Sequence, residues 1–168
     1  MKNIEGIKYS IEKRNNETAH LQGIEILDKL LRNENICDYT IGYTNNLKPF
    51  IDNNKYISVS HTEEYVVCAV SDKNIGIDII KIREKDDKVM KYFFSKDERN
   101  YVNSSEDSGK AFSYVWTLKE AFIKLNGDKL KDINNYNVII DNKINIENAS
   151  YYFIEDIKDY VICVIKSN

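Results

Sequence analysis

The stretch Trp116-Thr117-Leu118-Lys119-Glu120-Ala121-Phe122-Ile123-Lys124 decides how this chain can be interpreted. It lies within residues 110–125, where apolar side chains recur at helical spacing, and Asn126-Gly127 follows as a stop signal. The pattern predicts a long helix. Glu120 and Lys124 are four residues apart and therefore lie on one face of that helix. Such a pair is usually a surface ion pair, so the stretch alone does not establish a catalytic function.

The rest of the pattern predicts an α+β fold. Residues 17–32 carry leucine and isoleucine at near-helical spacing and predict an amphipathic helix. Ser95 and Glu98 form a capping-box pattern that predicts a short helix, and the polar residues 103–109 are typical of a loop. Alternating or continuous apolar runs predict antiparallel strands over residues 56–60, 65–71, 75–80, 136–140, 143–146, 151–154 and 160–165.

The composition argues against several broad classes of protein. The 24 basic and 27 acidic residues leave a net charge of -3 without a basic cluster, so no nucleic-acid partner is expected. Cys37, Cys68 and Cys163 are too far apart for a metal or disulfide framework, and the last two lie in apolar runs typical of buried thiols. No apolar run reaches the ~20 residues of a membrane span, and the first residues lack a signal-peptide pattern. A cytoplasmic protein without membrane contact is expected.

Two further short segments carry chemistry. Ser60-His61 ends one predicted strand, and Gly76-Ile77-Asp78 lies near the end of another. Each segment also has an ordinary interpretation, a loop histidine in the first and a turn-capping aspartate in the second. Together with Glu120 and Lys124, the segments supply a phosphate contact, two carboxylates and a lysine. That combination suits magnesium-assisted transfer of a phosphoryl-linked group.

In this order the three segments resemble the 4'-phosphopantetheinyl transferases, specifically the Sfp-like branch with its Trp-x-x-Lys-Glu-Ala signature. The resemblance covers residues 13–140 and extends to three further segments, Glu17-Thr18-Ala19-His20, Asn46-Leu47-Lys48-Pro49-Phe50 and Tyr92-Phe93-Phe94-Ser95-Lys96. It implies two similar α/β halves, residues 1–74 and 75–168, related by a pseudo-twofold axis in a monomer. Coenzyme A would bind between the halves. The implied reaction moves its 4'-phosphopantetheine arm to a serine of an acyl or peptidyl carrier protein and releases adenosine 3',5'-bisphosphate.

The resemblance also implies roles for individual residues. Asp78 and Glu120 would hold Mg²⁺, or Mn²⁺ in its place, and Glu120 could also act as a general base. Lys124 would meet the pyrophosphate, and Lys119 would be a second cation on the adjoining helix face. Contacts with the phosphate and nucleotide end of coenzyme A are expected from Ser60, His61, Lys48, Lys13, Arg14 and His20. Carrier docking is expected at Met90, Tyr92, Phe93 and Phe94, for which core packing is the alternative.

The chain departs from the family pattern in two places. Sfp-like sequences commonly read Gly-Ile-Asp-x-Glu, whereas this chain has Ile80 where the glutamate would stand. The first half is also shorter than in the longer enzymes. These departures motivate an alternative in which the chain is a non-catalytic binder of carrier protein or nucleotide. A metal-dependent nuclease is a second alternative, although such sites place Glu and Lys two residues apart on a strand, unlike Glu120 and Lys124.

Overall fold

The computed structural model describes residues 1–168, which form eleven strands, four α-helices and one 3-10 helix. The strands are β1 Lys2–Ile4, β2 Ile7–Lys13, β3 Ile41–Tyr43, β4 Pro49–Ile51, β5 Tyr56–His61, β6 Tyr65–Ser71, β7 Ile75–Lys81, β8 Ile139–Ile140, β9 Lys143–Ile144, β10 Ala149–Ile154 and β11 Tyr160–Ser167. The helices are α1 Ala19–Asn33, α2 Asp87–Phe93, α3 Lys96–Ser104 and α4 Ser108–Asn126, and a 3-10 helix covers Leu130–Asn135. All strand pairs are antiparallel, and the predicted α+β class is confirmed.

The first sheet has the spatial order β1-β2-β6-β5 and carries α1 on one face. Helix α1 begins at Thr18, whose side chain accepts a hydrogen bond from the backbone N–H of Leu21. Its buried stripe includes Leu27, Leu30 and Leu31, which pack in one cluster with residues of β6. The amphipathic helix predicted for the first part of the chain is therefore confirmed, because its apolar stripe covers the sheet.

The second sheet has the order β10-β11-β7, and α4 crosses it. Strand β11 lies in the middle and is buried from Tyr160 to Ile165, as its continuous apolar run predicts. Helix α4 buries Phe112, Val115 and Leu118 in the cluster beneath it. It ends at Gly127, which has a left-handed φ of 72° that a residue with a side chain adopts less readily.

The two sheets meet along strands β5 and β7. The backbone N–H of Ile77 donates to Ser58 Oγ at 3.0 Å across this junction. One buried cluster joins side chains of both sheets, among them Ile7 and Ala69 of the first sheet and Ile77 of the second. The strands therefore divide between two sheets that share a core. The predicted division at residue 74 into two halves with a pseudo-twofold relation remains a prediction.

Two predicted boundaries are wrong. Residues 103–109 are not a loop, because α3 continues to Ser104 and the Asp107 side chain already caps α4. The segment 136–140 contains strand only at Ile139–Ile140, since a 3-10 helix precedes it. In both places local capping and turn hydrogen bonds shifted the element ends that the apolar pattern suggested.

Other local predictions are confirmed. Ser95 and Glu98 form a complete capping box at the start of α3. Cys68 and Cys163 are buried thiols, and burial is the main cause that raises the pKa of each. None of the helices combines the length and the apolarity that a membrane span requires.

Candidate active site

Gly76 allows α4 to lie directly on strand β7. A Cβ atom at this position would stand 2.0 Å from the backbone oxygen of Ala121 and 2.5 Å from the backbone nitrogen of Leu125. Any side chain would therefore push the helix away from the strand. Asp78, two residues further along β7, lies on the same face as Gly76 and so faces the helix. The Gly-x-Asp pattern thus combines a close-approach residue with a carboxylate aimed at α4.

Three hydrogen bonds join Asp78, Ser60 and Lys124 to one another at this place. Lys124 Nζ donates to Asp78 Oδ1 at 2.7 Å and to Ser60 Oγ at 2.8 Å. Ser60 Oγ donates to Asp78 Oδ1 at 2.7 Å. The Asp78 side chain is 8% exposed and that of Lys124 is 28% exposed. Strands β5 and β7 and helix α4 therefore each contribute one polar group to a single site.

Glu120 lies one turn before Lys124 on α4 and faces the same space. We call this space the central cleft; it has a volume of about 410 Å³ and is lined by Val59, Ser60, His61, Asp78, Ile79, Ile80, Trp116, Glu120 and Lys124. Burial, then the negative charge of Asp78, raises the pKa of Glu120 to about 7, while Lys124 acts in the opposite direction. A carboxyl group with a pKa near neutrality in a cleft is a candidate for proton transfer or metal binding.

The two carboxylates of the central cleft fit a magnesium ion. Asp78 and Glu120 supply oxygen ligands of the kind that Mg²⁺ prefers. No group of three or more histidine, cysteine or acidic side chains that could hold a metal occurs in the structure. Ile80 lines the cleft where a further carboxylate would stand in the Sfp-like pattern. Because Mg²⁺ usually keeps waters and takes oxygens from substrate phosphates, two carboxylates are sufficient as its protein ligands.

Positive charge gathers at one end of the central cleft. His61 is largely exposed there, but its partial burial, followed by the positive charges of Arg14 and Lys124, lowers the pKa of its imidazole. Arg14 Nη2 donates to the backbone oxygen of Glu17 at 3.0 Å, whereas its Nε is buried without a hydrogen-bond partner. A histidine with an arginine and a lysine near it suits an anionic group.

The structure corrects the prediction for Lys119. This side chain is 1% exposed, and Nζ donates to Glu98 Oε1 at 2.9 Å and Oε2 at 2.8 Å. A third hydrogen bond goes to the backbone oxygen of Tyr136. All three ammonium protons are used inside the protein, so Lys119 does not meet a ligand in the cleft. Lys119 is next to Glu120 in the sequence, but its side chain leaves the helix on the side that faces α3.

Lys48 lies in a side cleft next to the central one. This side cleft, of about 310 Å³, shares Val59, Glu120 and Lys124 with the central cleft. Lys48 Nζ is already bound, at 2.7 Å each, by Asn74 Oδ1 and the backbone oxygen of Leu125. The ammonium is thus held against α4, and its predicted phosphate contact remains a prediction. Lys13 and His20 are exposed, line neither cleft and remain predictions as ligand contacts.

The predicted docking segment is mostly core. Met90 is 2% exposed and Phe94 is 4% exposed, and both belong to the cluster beneath α4. Phe94 stacks on Phe112 with ring centroids 5.4 Å apart. Only Tyr92, at 67% exposed, projects into solvent. Docking through Met90 and Phe94 is therefore wrong, because these side chains fill the core.

Two asparagines near the clefts were missed from the sequence. Asn46 Nδ2 donates to the backbone oxygen of Gly127 at 2.9 Å, and Asn74 Nδ2 donates to that of Leu125 at 2.7 Å. Asparagine is common in the turns of this chain, so neither residue stood out. The signal was present in part, since Asn46 opens one of the segments on which the family resemblance rests.

Comparison with protein families finds one that matches this chain. The family described as ACPS: 4'-phosphopantetheinyl transferase superfamily matches residues 74–165, which include Asp78, Glu120 and Lys124. Strands β1 to β6 and the Ser60-His61 segment precede the matched residues.

Individual relatives carry the same activity in their names. The 4'-phosphopantetheinyl transferase gsp of Aneurinibacillus migulanus is 39% identical over 82 residues, which are 48% of this chain and 35% of the relative. The 4'-phosphopantetheinyl transferase Sfp of Bacillus subtilis (strain 168) is 34% identical over 77 residues, 45% of this chain and 34% of the relative.

A third relative is the L-aminoadipate-semialdehyde dehydrogenase-phosphopantetheinyl transferase of Saccharomyces cerevisiae, 33% identical over 96 residues, 49% of this chain and 35% of the relative. The matched stretches thus span about a third of the length of these relatives. The predicted resemblance to the Sfp-like branch is confirmed. Since the family match covers more than half of its residues, this chain belongs to the 4'-phosphopantetheinyl transferase superfamily.

Proposed function

We propose that this protein transfers the 4'-phosphopantetheine arm of coenzyme A to a serine of an acyl or peptidyl carrier protein. The observation that carries the proposal is the meeting of Asp78, Glu120 and Lys124 in one cleft at the junction of the two sheets. The names of the relatives support it.

The reaction places demands that these side chains can meet. The serine oxygen of the carrier forms a bond to the pyrophosphate phosphorus that bears the pantetheine arm. The bond from that phosphorus to the bridging oxygen breaks, and adenosine 3',5'-bisphosphate leaves. Attack on a phosphorus surrounded by anionic oxygens requires positive charge nearby. A magnesium ion held by Asp78 and Glu120 would supply part of that charge by binding pyrophosphate oxygens.

Lys124 and Glu120 have separate tasks in this scheme. Lys124 Nζ is 28% exposed on the cleft, so it can donate to a pyrophosphate oxygen in exchange for one of its present partners. Glu120, with a pKa of about 7, can accept a proton near neutral pH. Its carboxylate, or a water that it orients, takes the proton of the attacking serine. Ser60 holds Asp78 in place through the 2.7 Å hydrogen bond of its hydroxyl.

The cationic end of the central cleft suits the 3'-phosphate of coenzyme A. His61 is largely exposed and lies near Arg14. Partial burial, followed by the charges of Arg14 and Lys124, lowers the pKa of His61, and a bound phosphate would act in the opposite direction by favouring the charged imidazole. The nucleotide end of coenzyme A would thus lie toward β2 and β5.

Two alternatives make different predictions. A nuclease would need a polyanion-binding surface, which a net charge of -3 without a basic cluster does not favour. A non-catalytic binder is motivated by Ile80, which leaves two carboxylates in the cleft. This binder would retain coenzyme A without modifying a carrier.

The deciding experiment is intact-mass spectrometry of apo carrier proteins after incubation with the protein, coenzyme A and Mg²⁺. Fatty-acid, polyketide and nonribosomal-peptide carriers should each be tested, with chelator in a parallel reaction. We expect one phosphopantetheine addition on the carrier serine, and none with chelator. Unmodified carriers throughout, together with measured binding of coenzyme A, would leave the non-catalytic binder as the answer.

A further inference from the structure

The last turn of α4 is held by side chains that come from outside the helix. The final four carbonyl groups of a helix have no partner within it. Here the backbone oxygen of Leu125 accepts Lys48 Nζ and Asn74 Nδ2, each at 2.7 Å. The backbone oxygen of Gly127 accepts Asn46 Nδ2 at 2.9 Å. We call Asn46, Lys48 and Asn74 the clasp, because they tie the end of α4 to the first part of the chain.

Lys48 occupies the centre of the clasp. Its ammonium donates to Asn74 Oδ1 as well as to Leu125, so it bridges the start of β7 and the end of α4. Burial lowers the pKa of Lys48 to about 8. A cation placed against helix carbonyls is favoured by the partial negative charge of the helix C-terminus.

The turn that carries Lys48 is itself ordered. The backbone N–H of Thr44 donates to the Lys48 oxygen at 3.0 Å, and the Lys48 N–H donates to Thr44 Oγ1 at 3.1 Å. Leu47, at the tip, takes a left-handed φ of 64°. The clasp bonds from Asn46 and Lys48 therefore hold against the helix a turn that has its own internal hydrogen bonds.

The clasp joins the two walls of the side cleft. One wall is residues 46–49 of the turn, and the other is the end of α4 with residues 127–130. Lys124, which also lines the central cleft, precedes Leu125 directly in the chain. We propose that Lys48 is a positioning residue: by clasping the last turn of α4 it sets the width of the side cleft and the position of Lys124. The inference rests on the proposed function only in naming coenzyme A as the occupant.

The first arm of the test needs no ligand. Hydrogen exchange measured by mass spectrometry should compare the wild type with Lys48→Met, which keeps the apolar stem and removes the ammonium. Losing a charge-assisted hydrogen bond should accelerate exchange about tenfold in residues 43–51 and 123–128. Exchange in α1 should stay unchanged. Lys129→Met removes an exposed lysine from the same cleft and should leave both segments at the wild-type rate.

The second arm separates a clasp from a phosphate contact. Calorimetry should measure the binding of coenzyme A and of dephospho-coenzyme A, which lacks the 3'-phosphate. A clasp predicts that Lys48→Met weakens both by the same factor, about tenfold. Unchanged exchange, with a loss confined to coenzyme A, would identify Lys48 as a phosphate ligand and overturn the proposal.

Two further outcomes are covered. If the wild type binds no coenzyme A, the proposed function fails, while the exchange arm still decides the clasp. If Lys48→Met does not fold, Asn46→Ala can replace it. Asn46→Ala removes a single clasp bond and should accelerate exchange in the same two segments. Lys48→Arg keeps the positive charge and should exchange at the wild-type rate. Wild-type exchange in Asn46→Ala would then refute the clasp.

Discussion

Helix α4 carries two lysine–carboxylate pairs that differ in what surrounds them. Lys119 pairs with Glu98 at 2.8 Å, and Lys124 pairs with Asp78 at 2.7 Å. The side chains of the first pair are 1% and 0% exposed, whereas those of the second are 28% and 8% exposed. Each pair joins a lysine to a carboxylate at almost the same distance, so neither feature can explain a difference in role.

The pairs differ in how completely they are bound. Glu98 accepts Lys119, the N–H of Ser95 and the N–H of Val138, all within the protein. Such a closed network holds α3 and α4 in one arrangement and has no capacity for a ligand. Lys124 borders the cleft and can exchange partners when an anion enters. Burial and the number of bound partners therefore distinguish the structural pair from the pair that we propose to be functional.

The largest expected effect follows from changing Glu120, which lies between the two lysines in the chain. Glu120→Gln should lower the transfer rate on the order of 10³-fold, because it removes a metal ligand and the proton acceptor. Since burial raises the pKa of Glu120 above the unfolded value, its ionised form costs stability at neutral pH, and a neutral glutamine relieves this. Thermal unfolding should therefore show a Tm no lower than that of the wild type. A Gln variant with the wild-type rate would place the reaction elsewhere.

The next effect concerns the core beside the pair of Lys119 and Glu98. Phe94→Ala should lower the free energy of unfolding by about 3–5 kcal/mol, because the ring is 4% exposed and stacks on Phe112. Tyr92→Ala, the matched change at a ring that is 67% exposed, should stay within about 0.5 kcal/mol. Denaturant unfolding measures both. A stable Phe94→Ala variant with weakened carrier binding would instead restore the docking interpretation.

The smallest effect concerns metal binding beside the pair of Lys124 and Asp78. Asp78 and Glu120 should bind Mg²⁺ weakly in the free protein, and coenzyme A should tighten that binding, as linkage requires. Ile80→Glu adds a carboxylate to the same strand face and should strengthen metal binding without coenzyme A by about tenfold. Calorimetry with Mg²⁺ alone tests this, with Ile80→Gln as the uncharged control. Tight binding by the wild type, or no gain in Ile80→Glu, would show that another residue completes the site.

Much of the fold and the site could be predicted from local patterns. The long helix, the strand around Asp78 and the capping box at Ser95 follow from spacing and cap residues, which act over a few positions. The burial of Lys119 and Phe94 could not be predicted this way, because it depends on contacts with Glu98 of α3 and Phe112 of α4, which lie about 20 residues away in the chain. The clasp could not be predicted either, since Asn46 and Gly127 are 81 positions apart in the chain.

The most direct test of the comparison is to replace Lys119 or Lys124 by methionine. Both the free energy of unfolding and the transfer rate are then measured for each variant. Lys119→Met should lower the free energy of unfolding by about 3–5 kcal/mol, because it leaves the buried charge of Glu98 without a cation. Its transfer rate per folded molecule should stay near that of the wild type. Lys124→Met should cost less stability than Lys119→Met, because the Lys124 side chain is 28% exposed, and should lower the rate by about 10²-fold. The opposite pattern, a stable but inactive Lys119→Met and an active Lys124→Met, would contradict the assignment of the two pairs.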